Sequence, residues 1–128
     1  MAKDYLSLDK LEVYKLARKL SKISWKIYQD LDWQDKKIMG NQFIESTDSV
    51  GANVAEGYGR FHYLDKVKFY FNSRGSLLES RHWFDLLSER EKAKAIFEKK
   101  YLQTYQKMRP SLNGLINSTM KAKEKQKS

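Results

Sequence analysis

Residues 11–31 read LEVYKLARKLSKISWKIYQDL, and this stretch decides the class of the fold. Val13, Leu16, Leu20, Ile23, Ile27 and Leu31 recur at spacings of three and four, which is one face of an α-helix. Asp9 followed by Glu12 reads as a capping box at its start, with a carboxylate accepting from unpaired amides. The same periodicity returns three times downstream. Asp32-Trp33-Gln34-Asp35 reads as a turn with Asp35 as the cap of a second helix. That helix carries Met39, Phe43, Thr47, Val50 and Val54 on one stripe and runs out at Gly57 and Gly59. A third has Tyr70, Leu77 and Phe84 on one line and Val67, Phe71 and Leu78 on the adjacent one, with Gly75 read as permitting close helix approach. The fourth places Phe97, Tyr101, Tyr105, Met108, Leu112, Leu115 and Thr119 on a stripe that Pro110 lies off, so the proline is expected to kink the helix rather than break it.

Four helices at about 10–31, 36–58, 64–90 and 94–120, joined by short loops, predict an all-α fold. The architecture expected over residues 1–120 is an antiparallel up-down-up-down four-helix bundle, followed at 121–128 by a basic frayed tail with lysine at every second position. One proline and six glycines in 128 residues leave little room for the turns of an all-β chain. A chain of this length forms one domain and can support its own core. The absence of cysteine removes disulfides, thiolate metal sites and cysteine nucleophiles, and fits a reducing compartment. Mean hydropathy is −0.76, no apolar run approaches a membrane span, and the first residues hold no apolar signal core. The expectation is a soluble, cytoplasmic protein with no membrane partner.

Charge is the next informative feature. Lysine and arginine number 25 against 16 acidic residues, for a net charge of +9. Residues 1–89 are nearly neutral, with 14 basic and 13 acidic side chains, whereas residues 90–128 hold 11 basic and 3 acidic. Such asymmetry favours a polyanionic partner, nucleic acid or an acidic protein surface, or else serves solubility alone. Within helix one, Lys15, Arg18, Lys19, Lys22 and Lys26 form a stripe with no interleaved acid, opposite Leu16, Leu20 and Ile23. Cations on one line can neutralise successive phosphates without reading sequence, and Lys99, Lys100 and Lys107 on helix four extend the candidate set. A solvated outer face is the competing reading of the same residues.

Helix one also has a second apolar line, Leu11, Tyr14, Trp25 and Tyr28, well off the core stripe. It is expected to be an oligomer interface, unless these rings merely widen the core face. Asn53, Glu56, Arg60, Arg74 and Glu79 are polar residues beside packed faces, expected to form a structural network in which Glu56 reaches Arg74 or Arg60. Catalysis has little support. His62 and His82 lack the spacing of a metal pair, and Ser76, His82 and Asp85 have no strained turn or oxyanion hole to serve. No phosphate loop is present, and Glu45 and Asp48 lack the Glu-x-x-His motifs of di-iron bundles. The reading is a non-enzyme with no metal or cofactor.

The run Asn53-Val54-Ala55-Glu56-Gly57-Tyr58-Gly59-Arg60 is followed by Arg74-Gly75-Ser76-Leu77-Leu78-Glu79 and preceded by Leu11-Glu12-Val13-Tyr14-Lys15-Leu16-Ala17. In this order, over about residues 8–120, these elements resemble the bacterial four-helix-bundle family named for reading frames in intervening sequences of 23S ribosomal RNA genes. They are similar also to the accessory variability determinant of diversity-generating retroelements. The resemblance implies an up-down-up-down bundle assembled into a homo-oligomeric, commonly pentameric, ring that engages nucleic acid, with a reverse transcriptase as a further partner of the retroelement relatives. This chain departs from the pattern at Ile44 and Glu45, where many members carry paired arginines, and Asp48 adds a further acid. The function expected is a non-catalytic oligomeric protein that binds RNA or single strands through phosphate contacts. The alternative is an oligomeric adaptor whose basic surface docks an acidic protein partner.

Overall fold

Leu11 holds extended backbone, and the chain turns helical at Glu12 to begin α1 (Glu12–Asp30). The computed structural model describes residues 7–127, with side-chain surroundings over residues 7–125. One 3-10 turn, Leu8–Lys10, precedes α1. The capping box expected of Asp9 and Glu12 does not form, and no side chain caps α1. Asp9 is engaged by Ser7 instead, and that hydrogen bond, helped by the Lys10 and Lys15 charges, holds its carboxyl below the ordinary aspartate range.

Asp32, not Asp35, starts the second segment: its Oδ1 accepts from the Asp35 N–H at 2.8 Å. Asp35 is drawn away to Lys92, 3.1 Å from its carboxylate. One α-turn, Trp33–Asp35, widens into a π turn, Lys36–Gly40, and continues as α2 (Asn41–Tyr58). A Cβ on Gly40 would lie 2.8 Å from Leu31 Cδ1 and 3.1 Å from Tyr28 Cδ1, so glycine lets this wide turn press against the end of α1. α3 spans Tyr63–Glu89 and α4 spans Ala95–Lys127. Between them, Lys92 N–H reaches Leu87 O at 2.8 Å and Glu91 N–H reaches Ser88 O at 3.0 Å. This is a Schellman ending with Glu91 in the left-handed position at φ 56°.

The four long helices surround one core: α1 and α3 each pack on α2 and α4, and the α2–α3 contact is the most extensive. Along that contact Gly57 meets Tyr70, Thr47 bonds Ser80, and Met39 meets Arg90. Most of the expected stripes are buried, with informative exceptions. On α1 Leu16 is only half-buried, and the face is completed by Ala17 and Ser24. On α4 Phe97 and Leu115 are half-buried. The adjacent line expected on α3 is wrong beyond Val67: Phe71 and Leu78 are 41% and 56% exposed, and the inner positions are Ser73, Ser80 and Leu87. Two serines on a buried line leave no apolar periodicity to read.

Those serines are satisfied across the helix contacts. Ser73 Oγ donates to Val50 O at 2.8 Å. Thr47 Oγ1 donates to Phe43 O at 2.8 Å, lies 2.6 Å from Ser80 Oγ, and Ser80 Oγ lies 2.7 Å from the Tyr101 hydroxyl. Each hydroxyl has one proton. With the Thr47 proton committed to Phe43, Ser80 donates to Thr47 and Tyr101 donates to Ser80. The Tyr101 ring stacks on Phe84 with centroids 4.0 Å apart and planes 9° from parallel. By contrast, the buried Ser24 hydroxyl has no hydrogen-bond partner.

Two expectations about α3 and α4 need correction. Gly75 is no point of close approach, since an added Cβ would meet nothing within 4 Å. The close approach is at Gly57, where a Cβ would lie 2.7 Å from Tyr70 Cε1 and 3.0 Å from Phe69 Cβ. The frayed tail expected after residue 120 is helical to Lys127. Lys, Ala, Glu and Gln are strong helix formers, and lysines in a last turn complement the helix dipole, so this segment needs no apolar partner to continue. Pro110 lies on the exposed side of α4, and the helix runs through it.

Two outcomes follow for stability. Gly57→Ala should cost about 1–3 kcal/mol through overpacking, whereas Gly75→Ala should gain about 0.5–1 kcal/mol, both read from urea midpoints. Burial pushes the Tyr101 phenol well above the ordinary tyrosine range. Its contribution to stability is therefore complete below about pH 10, the unfolded value, and is lost as pH rises beyond that toward the raised folded value. Tyr101→Phe should flatten the fall in unfolding free energy above about pH 10, measured by denaturant titration.

Candidate nucleic-acid interface

Helical spacing places Lys15, Arg18, Lys19, Lys22 and Lys26 on the side of α1 opposite its buried line, and all five are exposed. Among the described residues, ion pairs join Glu56 to Arg60, Arg81 to Asp85, Asp35 to Lys92 and Asp30 to Lys94, and none uses a cation of this stripe. Arg18, Ser21, Lys22, Trp25, Lys26 and Gln29 follow one another at three- and one-residue steps and form one wall of an open groove of about 600 Å³, faced by Ile44 and Asp48 of α2. Arg18 Nη1 donates to the Tyr14 hydroxyl at 3.1 Å.

The second apolar line of α1 divides in two. Leu11, Tyr14 and Tyr28 are half-buried and pack against the core of their own chain. Tyr14 lies over Gly51, and the Tyr28 hydroxyl donates to Asn41 Oδ1 at 2.8 Å. Trp25 alone among these four is exposed, at 48%, with its ring stacked on Tyr28 at 5.2 Å and 19°. Trp33, Ile38, Phe61, Ile96 and Met120 are exposed singly, whereas on α3 the exposed Leu64, Phe71 and Leu78 recur every seven residues. Only Leu64 was missing from the periodic reading, and it differs from the core lines in nothing but its phase.

Lys99, Lys100 and Lys107 are exposed on α4, which neighbours α1. Lys100 and Lys107 share a line two turns apart, and Lys99 lies off it.

The polar network expected of Asn53, Glu56, Arg60, Arg74 and Glu79 is absent as a network. Only Glu56 and Arg60 meet, 2.8 Å apart and on the surface. Asn53 Nδ2 donates to Ser49 O of its own helix at 2.9 Å, Arg74 donates to Asn113 Oδ1 at 3.2 Å, and Glu79 accepts from Trp83 Nε1 at 3.2 Å. Glycine and serine bring α2 and α3 so close that long charged side chains are left to the flanks. The cation actually buried at this corner is Lys66. Its Nζ donates to Tyr58 O at 2.8 Å and to Gly57 O at 3.4 Å, satisfying carbonyls at the end of α2. Burial lowers its pKa from the ordinary lysine value. No motif in the sequence signals this role, because the two partners are backbone oxygens on another helix.

Ser76, His82 and Asp85 are not assembled into a triad: Asp85 accepts from Arg81 Nε at 2.8 Å, and the His82 ring lies edge-on to Trp83. Among the described residues, no group of three or more His, Cys, Asp or Glu side chains could hold a metal ion. Nor is any described helix long and apolar enough to cross a membrane.

Among solved structures, the chain is similar to a protein of unknown function from the S23 ribosomal protein family of Bacteroides thetaiotaomicron. The TM-score is 0.74 at 19% identity, over 81% of this chain and 97% of that one, a likeness of fold. No curated protein matches the chain. Residues 9–114, most of the chain and all of the α1–α2 groove, match the family described as 23S rRNA-intervening sequence protein. With four helices, an arrangement shared with a solved S23 relative and a match of this length, the chain belongs to the 23S rRNA-intervening sequence protein family.

Proposed function

We propose that this protein is a non-catalytic, cytoplasmic nucleic-acid-binding protein that contacts the phosphates of RNA or single strands without regard to sequence. The observation that carries the reading is the α1 stripe: five exposed cations on one helix face, none in an ion pair with a carboxylate among the described residues. Cations left unpaired on a folded surface are free to release counterions from a polyanion. Lys100 and Lys107, on the neighbouring helix α4, widen the same positive field. Asp48 and the absence of arginine at Ile44 and Glu45 make the α2 wall of the groove the less basic side, so α1 supplies the contacts.

The reading includes an up-down-up-down path and a homo-oligomeric ring, the pentamer implied by family resemblance. The opposite order of the α2–α3 contacts, Gly57 with Tyr70 and Thr47 with Ser80, supports the path. The exposed Leu64, Phe71 and Leu78 line supports assembly, since such a line is an unusual surface for a lone bundle. A second reading, an adaptor for an acidic protein partner, is favoured by Arg74 and Arg109, which border Leu78 in a separate pocket between α3 and α4.

Binding to single-stranded RNA, followed by fluorescence anisotropy, should weaken steeply with salt and show little sequence preference. Replacing Lys15, Lys19 and Lys22 together with glutamine should lower affinity uniformly and flatten the salt slope by up to about 2 units. Undetectable binding at low salt would transfer the assignment to the adaptor.

A further inference from the structure

We propose that Trp25 is a stacking platform for one unpaired base of a single-stranded nucleic acid whose phosphates are held by Arg18, Lys22 and Lys26. The inference rests on the nucleic-acid-binding reading and adds strand state to it. Trp25 sits on the groove wall between Lys22 and Lys26, three residues after one and one before the other, so the indole is bracketed by cations about 6 Å apart along the helix axis. A ring among cations that make no ion pair among the described residues is the arrangement that receives a nucleotide through both of its parts, the base by its π-face and the phosphate by charge.

The ring is also held ready. Tyr28 covers one of its faces at 5.2 Å and 19° from parallel. Tyr28 is itself fixed by its hydrogen bond to Asn41 at 2.8 Å and by its seat over Gly40. Trp25 nevertheless remains 48% exposed, while Tyr14 and Tyr28 are spent on packing within the chain. A base that docks there therefore meets an aromatic surface already ordered, which lowers the entropic cost of binding. Bases of a duplex have both faces stacked on their neighbours and offer none to an indole, so the site discriminates in favour of single strands.

The test uses the full-length chain with Trp33→Phe and Trp83→Phe, leaving Trp25 as its one indole, and probes of about 16 nucleotides, oligouridylate and a mixed-sequence RNA duplex. Oligouridylate should quench the Trp25 fluorescence and the duplex should not. In the otherwise unaltered chain, Trp25→Ala should weaken oligouridylate binding about tenfold, leave duplex binding and the salt slope unchanged, and Trp25→Phe should restore most of the loss. Sedimentation of Trp25→Ala should match that of the wild type. If Trp25→Ala binds oligouridylate as well as the wild type does while Lys22→Gln with Lys26→Gln weakens it, the stacking proposal is overturned and the phosphate-binding reading stands. A Trp25→Ala chain that loses its oligomeric state places the indole between protomers and overturns the proposal too. A wild type that binds neither probe removes the nucleic-acid reading and this inference with it.

Discussion

The close approach of α2 and α3 is the constraint on which the rest of the molecule depends. Gly57 admits the Tyr70 ring where any side chain would collide with it, and Ser73 and Ser80 keep the inner line of α3 small. Close packing of this kind brings backbone groups within reach of side-chain hydroxyls. The Ser73–Val50 bond and the Tyr101–Ser80–Thr47–Phe43 relay are the result. The relay ties three helices together with donors in one consistent direction, so its own hydroxyls stay hydrogen-bonded on burial. It also sets Tyr101 flat against Phe84, which fixes α4 against α3.

The basic surface follows from this arrangement at one remove. Since α1 packs on α2 through Ala17 and Gly51, its cations must emerge on the far side, and the residues at its shoulder line the open α1–α2 groove. The same packing sorts the α1 aromatics. Gly51 and Gly40 provide seats for Tyr14 and Tyr28, and no glycine lies under Trp25. Small residues outside α1 thus lie beside the two rings that are packed.

The cations of the bundle fall into two groups. Lys66 is buried and used up on the carbonyls that end α2, and Lys92 and Lys94 tie the α3–α4 connection to Asp35 and Asp30. These cations hold the chain's own ends and corners. Those of the α1 stripe make no ion pair among the described residues, so their charge is left on the surface.

Much of the fold is legible in the sequence. Apolar spacing of three and four in residues 13–31 and 39–54, and the seven-residue recurrence of Tyr70, Leu77 and Phe84, are properties of helix geometry alone, and large apolar side chains announce it. The position of the cationic stripe was legible for the same reason, because a face opposite a buried line is outside whatever the neighbours are. The inner serines, the role of Lys66, the true site of close approach and the independence of Glu56, Arg74 and Glu79 were not. Each depends on a partner brought close by packing and not by sequence distance, and a serine, glycine or lysine has no periodic signature of burial. Sequence by itself determined four helices, their inward faces and where the positive charge gathers, since these rest on periodicity and composition. Only the tertiary structure decided which helix pair lies closest, which hydroxyls hold the core together and which aromatic of α1 stays exposed, since those rest on contacts between residues that the chain places far apart.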